Sequence, residues 1–264
     1  MPAPRKSVFV LVASDHGTMI VSRLDYATGA DGNAWGVGYR LLVDGAWNQP
    51  EVEQMMHLLT RRRAHFGDGV VALDCGANIG VHTIEWAKRM TGWGRVIAIE
   101  AQERVFYALA GNIAINNCLN ARALHAAVGA AEGTIRVPVP NYLLPGNLGG
   151  LELRSSARTE FIGQKIDYSE AATVEIRSMT VDGLGLTRLD LLKVDVEGME
   201  AEVLDGARAT IAACRPIIMA EHIKVGWDAL ANRLGPMDYK LFRTKMNLVA
   251  VHASDPTSGE LRQG

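Results

Sequence analysis

The run Val70-Val71-Ala72-Leu73-Asp74-Cys75-Gly76-Ala77-Asn78-Ile79-Gly80 constrains this chain more than any other stretch. An apolar segment ends in an acid, and two glycines and an asparagine follow. Gly76 and Gly80 lack a Cβ, so the main chain can turn sharply there and lie against a bound molecule. Residues Val81 to Arg89 then read as a helix. Strand, glycine turn and helix N-terminus together describe the mononucleotide-binding corner of a doubly wound α/β fold.

The same unit recurs along the chain. Arg95 to Glu100 reads as a second buried strand, and Gln102 to Cys118 as a helix with Val105, Phe106, Leu109 and Ile113 at helical spacing. Arg122 to Val128 is expected as a third strand. Leu189 to Asp195 is another strand, with a turn and helix over Val196 to Ala207, and Pro216 to His222 repeats the pattern. Tyr239 to Arg243 and Leu248 to His252 are expected to close the sheet as a hairpin. Successive β-α units imply a parallel sheet with right-handed crossovers and helices on both faces, that is, a Rossmann-like α/β fold.

Residues 1–66 are expected to form an N-terminal extension to a main domain at 67–264. The extension reads as a hairpin (Ser7 to Ala13, Thr18 to Arg23), a glycine-rich loop from Gly29 to Gly38 and a helix from Pro50 to His65. Trp35 in that loop either packs or lines a pocket mouth. Arg61-Arg62-Arg63 is expected as a solvated helix end that complements the dipole. An insertion spans 139–173, after a short strand at Gly133 to Val139 and before another at Thr173 to Met179. It is rich in proline and glycine and is placed beside the nucleotide site as an acceptor loop or a surface hairpin. The polar tail from Ser254 to Gly264 is expected to fray.

A composition of 48% hydrophobic and 21% charged residues argues against long disorder. A net charge of -2 gives no general attraction to nucleic acid or to an anionic membrane. Cys75, Cys118 and Cys214 are scattered and odd in number, which suggests reduced thiols rather than a disulfide framework or a zinc site. The apolar stretch Val8 to Ala13 is too short for a membrane span. A soluble cytoplasmic protein is expected, with no nucleic-acid or membrane partner; homo-oligomerisation is left open.

Asp74, Glu100, Asp195 and the pair Glu221-His222 all end strands, and so converge on one sheet edge. A carboxylate about 20 residues past a glycine turn is where ribose hydroxyls are held. A dinucleotide site needs a second glycine where Asn78 stands, because the pyrophosphate approaches the backbone there. Asn78 opposes that ligand, and no basic residue lies in the turn. The turn instead suits an amino-acid end with a positive charge, which Asp74 and main-chain carbonyls can face. S-adenosyl-L-methionine satisfies both ends. A nicotinamide-dependent oxidoreductase and a non-catalytic cofactor-binding module are the alternatives.

The sequence resembles the FkbM-type S-adenosylmethionine-dependent methyltransferase family from Val71 to about His222. The resemblance rests on Leu73 to Gly80 with Thr83, on Ile99-Glu100, on Leu109, Asn112 and Asn116, and on Asn147-Leu148-Gly149-Gly150. Its most specific part is Leu192-Lys193-Val194-Asp195-Val196-Glu197-Gly198-Met199-Glu200 with Val203-Leu204. Cys75 stands where the family usually has an aliphatic residue, and Ala101 where it commonly has proline. The resemblance implies a seven-stranded class I methyltransferase sheet and O-methylation of a hydroxyl on a sugar or natural product. It implies cofactor contacts at Asp74, Gly76, Ala77, Asn78, Gly80, Thr83, Glu100, Ala101, Ala127 and Asp195. The segment up to His65 matches only weakly, so the small hydroxylated acceptor is not identified by it.

Removing a hydroxyl proton needs a base. His222 is the first candidate, because it follows an apolar strand at the catalytic edge and imidazole titrates near neutrality; a histidine satisfied by backbone is the alternative. Lys193 shares a strand face with Asp195 and is either a desolvated base or an ion-pair partner of Asp195 or Glu197. Asp195, Glu221 and His222 also make a donor set for magnesium, manganese or another divalent cation, against direct contact of the two acids with cofactor or acceptor. Glu197 and Glu200 are read as structural acids at a helix start. His82 is expected to cap or pack. His16, His57, His65, His125 and His252 are read as structural or surface groups.

Overall fold

The computed structural model describes residues 6–259. The chain begins with an antiparallel hairpin, β1 (Phe9–Ser14) and β2 (Gly17–Ser22), and then a pair of two-residue strands, β3 (Ala27–Thr28) and β4 (Ala34–Trp35). Helix α1 (Val37–Val43) starts inside the passage expected to be a loop. Gly38 opens it by lying against Asp25, whose Oδ2 accepts from the Gly38 N–H at 2.8 Å. The long helix α2 (Gln49–Phe66) carries Pro50 in its first turn and buries Val52, Met55, Leu58 and Leu59 along one side.

The main sheet then begins with β5 (Val70–Cys75), α3 (Val81–Arg89), β6 (Gly94–Glu100), α4 (Glu103–Ile115) and β7 (Ala121–His125). A short strand, β8 (Ala127–Val128), leaves this sheet and joins β9 (Gly133–Pro138) and β10 (Thr173–Met179) in a second, three-stranded one. The strand expected over Arg122 to Val128 is therefore two strands. They part at Ala126, whose N–H turns back to the Glu100 carbonyl at 3.2 Å. The insertion between β9 and β10 has only short helical turns, yet Leu148, Leu151, Leu153 and Ile162 bury its side against the body of the protein.

The chain returns to the main sheet with β11 (Leu191–Val194), α5 (Glu200–Asp205), α6 (Arg208–Cys214), β12 (Ile217–Glu221), α7 (Trp227–Leu234), β13 (Tyr239–Arg243) and β14 (Asn247–His252). The helix expected from Val196 starts only at Glu200, because Glu197 and Gly198 hold positive φ and Glu200 accepts from the Val196 and Gly198 N–H groups. Strand order is β13-β14-β12-β11-β5-β6-β7. β12, β11, β5, β6 and β7 run parallel, while β14 is antiparallel to both of its neighbours. This is the seven-stranded Rossmann-like sheet expected from the sequence.

Every residue of β5 is buried, and the alternation of its side chains divides the core in two. Val70 and Ala72 pack with Trp86, Met55 and Leu59 on one face; Val71, Leu73 and Cys75 pack with Val203, Ile211 and Leu230 on the other. Each fully buried leucine or valine contributes about 1.5–3 kcal/mol through burial. The N-terminal extension shares the first core, because Met19, Val21 and Leu41 lie in the same cluster as Val70 and Val96.

Two expectations fail at the other end of the sheet. Arg62 is not part of a solvated patch: it is buried, its Nε lies 3.2 Å from Asp190 Oδ1, and it pairs with Asp255. The tail does not fray at 254–259, since Asp255 and Thr257 are buried around that pair; residues 260–264 lie outside the described residues. Among the described residues no helix is long and apolar enough to cross a membrane.

Candidate functional site

A cavity of about 680 Å³ opens over the C-terminal ends of β5, β6, β11 and β12, the edge at which open α/β sheets bind ligands. Of the residues expected to touch a cofactor, Gly76, Ala77, Asn78, Glu100, Ala101, Ala127 and Asp195 form its wall. Asp74, Gly80 and Thr83 do not. Asp74 is fully buried behind the wall, where its Oδ2 accepts from Thr83 Oγ1 at 2.7 Å and its Oδ1 lies 3.6 Å from Lys193 Nζ. It therefore holds the turn from behind, facing Thr83 and the Lys193 ammonium and not the cavity.

The two glycines also act differently from the expectation. Gly76 adopts φ 78, and a Cβ on it would overlap the carbonyl oxygen of Asp195 at the end of the neighbouring strand. A Cβ on Gly80, at φ 93, would come within 2.6 Å of Leu109 Cδ1. Close approach of protein to protein is already enough to require glycine at these positions. Asn78 has φ 51, a left-handed conformation that asparagine tolerates, and its Oδ1 accepts from the Ile79 N–H at 2.7 Å.

Glu100 stands at the tip of β6 with both oxygens fixed. Oε2 accepts from the Asn78 N–H at 2.9 Å and Oε1 from the Gln102 N–H at 2.8 Å. Burial pushes its carboxyl up to about 7, against the pull of these N–H groups. Each oxygen keeps a lone pair for a further donor. Gln102, absent from the sequence-based candidates, is on the wall as well; its Nε2 donates to the Leu148 carbonyl at 2.7 Å and so ties the insertion to this end of the cavity.

The opposite part of the cavity is charged. Lys193 is buried on β11 with Nζ 3.0 Å from Asp195 Oδ2. Burial opposes its charge, but the carboxylates of Asp195 and Asp74 outweigh burial and hold the ammonium above its ordinary range. Of the two roles open to it from sequence, Lys193 takes the geometry of the ion-pair partner of Asp195. Asp195, Glu197 and Glu221 bring carboxylate oxygens within 4.8 Å of one another. Burial and the charge of Asp195 push Glu221 up to about 8 and Glu197 well above the usual carboxylate range. Lys224 Nζ lies 2.6 Å from Glu197 Oε2 and 3.3 Å from Glu152 Oε1 of the insertion.

His222 is not on the cavity wall and is not in the carboxylate group. Its ring packs edge-to-face on Trp227 with centroids 5.8 Å apart, and its Nε2 is buried without a hydrogen-bond partner. The direction of the chain explains this: alternation along β12 turns Glu221 toward the cavity and its neighbour away. His222, expected as base and metal ligand, therefore stands apart from the cavity, and Glu197 is the third acid beside Asp195 and Glu221.

Glu51 and His82 are further wall residues that the sequence did not single out as site residues. Glu51 of α2 and His82 of α3 meet with Glu51 Oε1 at 3.2 Å from His82 Nε2. Asn247 Nδ2 donates to the other Glu51 oxygen at 2.6 Å. Burial opposes ionisation of Glu51, but His82 and Lys193 outweigh it and hold its carboxyl below its ordinary value. Pro50-Glu51 gives no sign of this role, because acids are ordinary in a first helical turn. His82 offered a sign, since it directly follows the glycine turn.

A model of the methyltransferase FkbM domain matches residues 74–252. The chain is similar to the methyltransferase sdnD of Sordaria araneosa, with 30% identity over 153 residues, 51% of this chain and 59% of that protein. It is also similar to Methyltransferase 1 of Beauveria bassiana, with 27% identity over 153 residues, 54% of this chain and 60% of that protein. The chain thus spans about three fifths of the length of these curated relatives. Among solved structures, the methyltransferase FkbM from Methylobacillus flagellatus KT aligns with 69% of this chain and 43% of its own, at 18% identity and a TM-score of 0.46.

Proposed function

The chain belongs to the FkbM methyltransferase family, and from that premise we propose that it transfers a methyl group from S-adenosyl-L-methionine to a hydroxyl of a small molecule, a sugar or natural product. The observation that carries this reading is Glu100, a fixed double acceptor on the cavity wall beside Gly76, Ala77 and Asn78. Its free lone pairs fit ribose hydroxyls, and a nucleoside pyrophosphate would find no cationic side chain in the turn. Cavities of about 300–1,000 Å³ are of the size that holds such ligands.

When bound, S-adenosylmethionine supplies an activated methyl group on sulfur. Glu100, Asn78 and Gln102 would hold its adenosyl end. The protein's part is to orient the acceptor oxygen, exclude water and take the hydroxyl proton. Glu221 is the wall group suited to that last task. Burial and the charge of Asp195 raise its carboxyl to about 8, so once ionised it binds a proton more strongly than an ordinary carboxylate does. Asp195 and Glu197 beside it sustain its basicity, and Lys193 and Lys224 balance the cluster's charge.

Asp195, Glu197 and Glu221 also form an oxygen-donor set of the kind that takes magnesium or manganese. Lys224 and Lys193 already place two ammonium groups against this cluster, so no step is assigned to a cation. Calorimetric titration with S-adenosylhomocysteine, followed by release of that product from S-adenosylmethionine across a panel of hydroxylated acceptors, tests the reading. Affinity for the product with turnover on an alcohol is the expected result. Tight binding of NADH without affinity for S-adenosylhomocysteine would replace it with a dehydrogenase.

A further inference from the structure

The methionine end of the donor carries an ammonium and a carboxylate on one carbon, so its seat needs an acceptor and a donor side by side. Asp74, the acid in the glycine-turn motif, cannot serve, because Thr83 and Lys193 occupy it behind the wall. A carboxylate and an imidazole meet on the wall just past the turn: Glu51 Oε1 lies 3.2 Å from His82 Nε2. Their approach is not aligned as a hydrogen bond, and the buried Nε2 of His82 is left without a hydrogen-bond partner. Asn247 holds the second oxygen of Glu51, so the carboxylate is fixed in place.

His82 is also the second residue of α3, whose N-cap is Gly80. The first N–H groups of a helix have no acceptors within it, and together with the helix dipole they favour an anion. The buried imidazole of His82, on the cavity wall in that first turn, adds a nitrogen donor beside them.

We propose that Glu51 and His82 form the seat for the amino-acid end of S-adenosylmethionine, Glu51 taking the ammonium and His82 with the first turn of α3 taking the carboxylate. This rests on the donor reading above. Donor recognition then depends on α2, which lies outside the segment matched by the family model, and the N-terminal extension is part of the cofactor site.

The test compares S-adenosylhomocysteine with 5′-methylthioadenosine, which has the same adenosine end and no amino acid. By calorimetry, Glu51→Gln and His82→Gln should each weaken S-adenosylhomocysteine about 10- to 100-fold and leave 5′-methylthioadenosine within roughly twofold of the wild type. Retained binding of the truncated ligand also shows that each variant is folded. Equal losses for both ligands, or no loss for S-adenosylhomocysteine in variants of a protein that binds it, would overturn the seat. A wild type without affinity for S-adenosylhomocysteine would overturn the donor reading itself.

Discussion

The carbonyl oxygen of Asp195 occupies the space that a side chain on Gly76 would need. The end of one central strand is thereby packed directly on the glycine turn of its neighbour. Gly76→Ala should destabilise the protein by several kcal/mol, since a close backbone contact and a φ of 78 both reject a Cβ. Urea denaturation measures this, and a variant with unchanged midpoint would refute the packing explanation.

Lys193 lies between Asp74 and Asp195, at 3.6 and 3.0 Å. Removing the ammonium while leaving Asp74 buried costs on the order of 3–5 kcal/mol. Lys193→Met should therefore be strongly destabilising, and Lys193→Met with Asp74→Asn much less than the sum of the two. Additive losses in this double-mutant cycle would show that the two groups do not interact.

Glu100→Gln keeps the shape of the side chain and removes an acceptor with its charge. We expect affinity for S-adenosylhomocysteine to fall about 10-fold or more. The same affinity in both proteins would remove Glu100 from the ribose site.

Two buried acids and one half-buried acid make stability depend on pH in a definite direction. Asp25 is pushed up to about 6, Glu100 to about 7 and Glu221 to about 8, each mainly by burial. Between the ordinary carboxylate range and these values the folded protein holds more protons than the unfolded chain, so stability falls as pH rises from about 5 to about 8. The melting temperature of the ligand-free protein should drop over that window, and Glu100→Gln should flatten the drop. A wild-type profile that rises from pH 5 to 8 would contradict the burial of these groups.

Glu221→Gln should lower kcat by about 10²- to 10⁴-fold on an acceptor that the wild type methylates, with affinity for S-adenosylhomocysteine retained. Chelation should leave the turnover unchanged. Loss on chelation with recovery on added magnesium would assign the acids to a cation instead.

The sheet was legible because its signals are local. Four strands, β5, β6, β12 and β14, read as unbroken apolar runs ending at acids or turns, and strands covered on both faces of a sheet are apolar on both. The elements misread were those decided by partners far away in sequence. α1 sits in a glycine-rich stretch and forms where Asp25 receives the Gly38 N–H. The strand pair β7 and β8 divides because Ala126 returns to Glu100. Arg62 looks like one of three exposed arginines until Asp190 and Asp255 close around it.

At the site, the order of residues along the chain determined which acids reach one sheet edge, and it identified Glu100 and the turn from Gly76 to Asn78. Tertiary structure decided which of them are available. Asp74 is spent on Thr83 and Lys193, and His222 is turned away from its neighbour Glu221. Glu51 arrives from a helix whose sequence carries no mark of a site. Periodicity and glycine turns act over a few residues and can be read from the chain itself. Whether a charged side chain faces a cavity or another charge depends on packing between segments up to about 200 residues apart, such as Glu51 and Asn247, and only the folded arrangement fixes that.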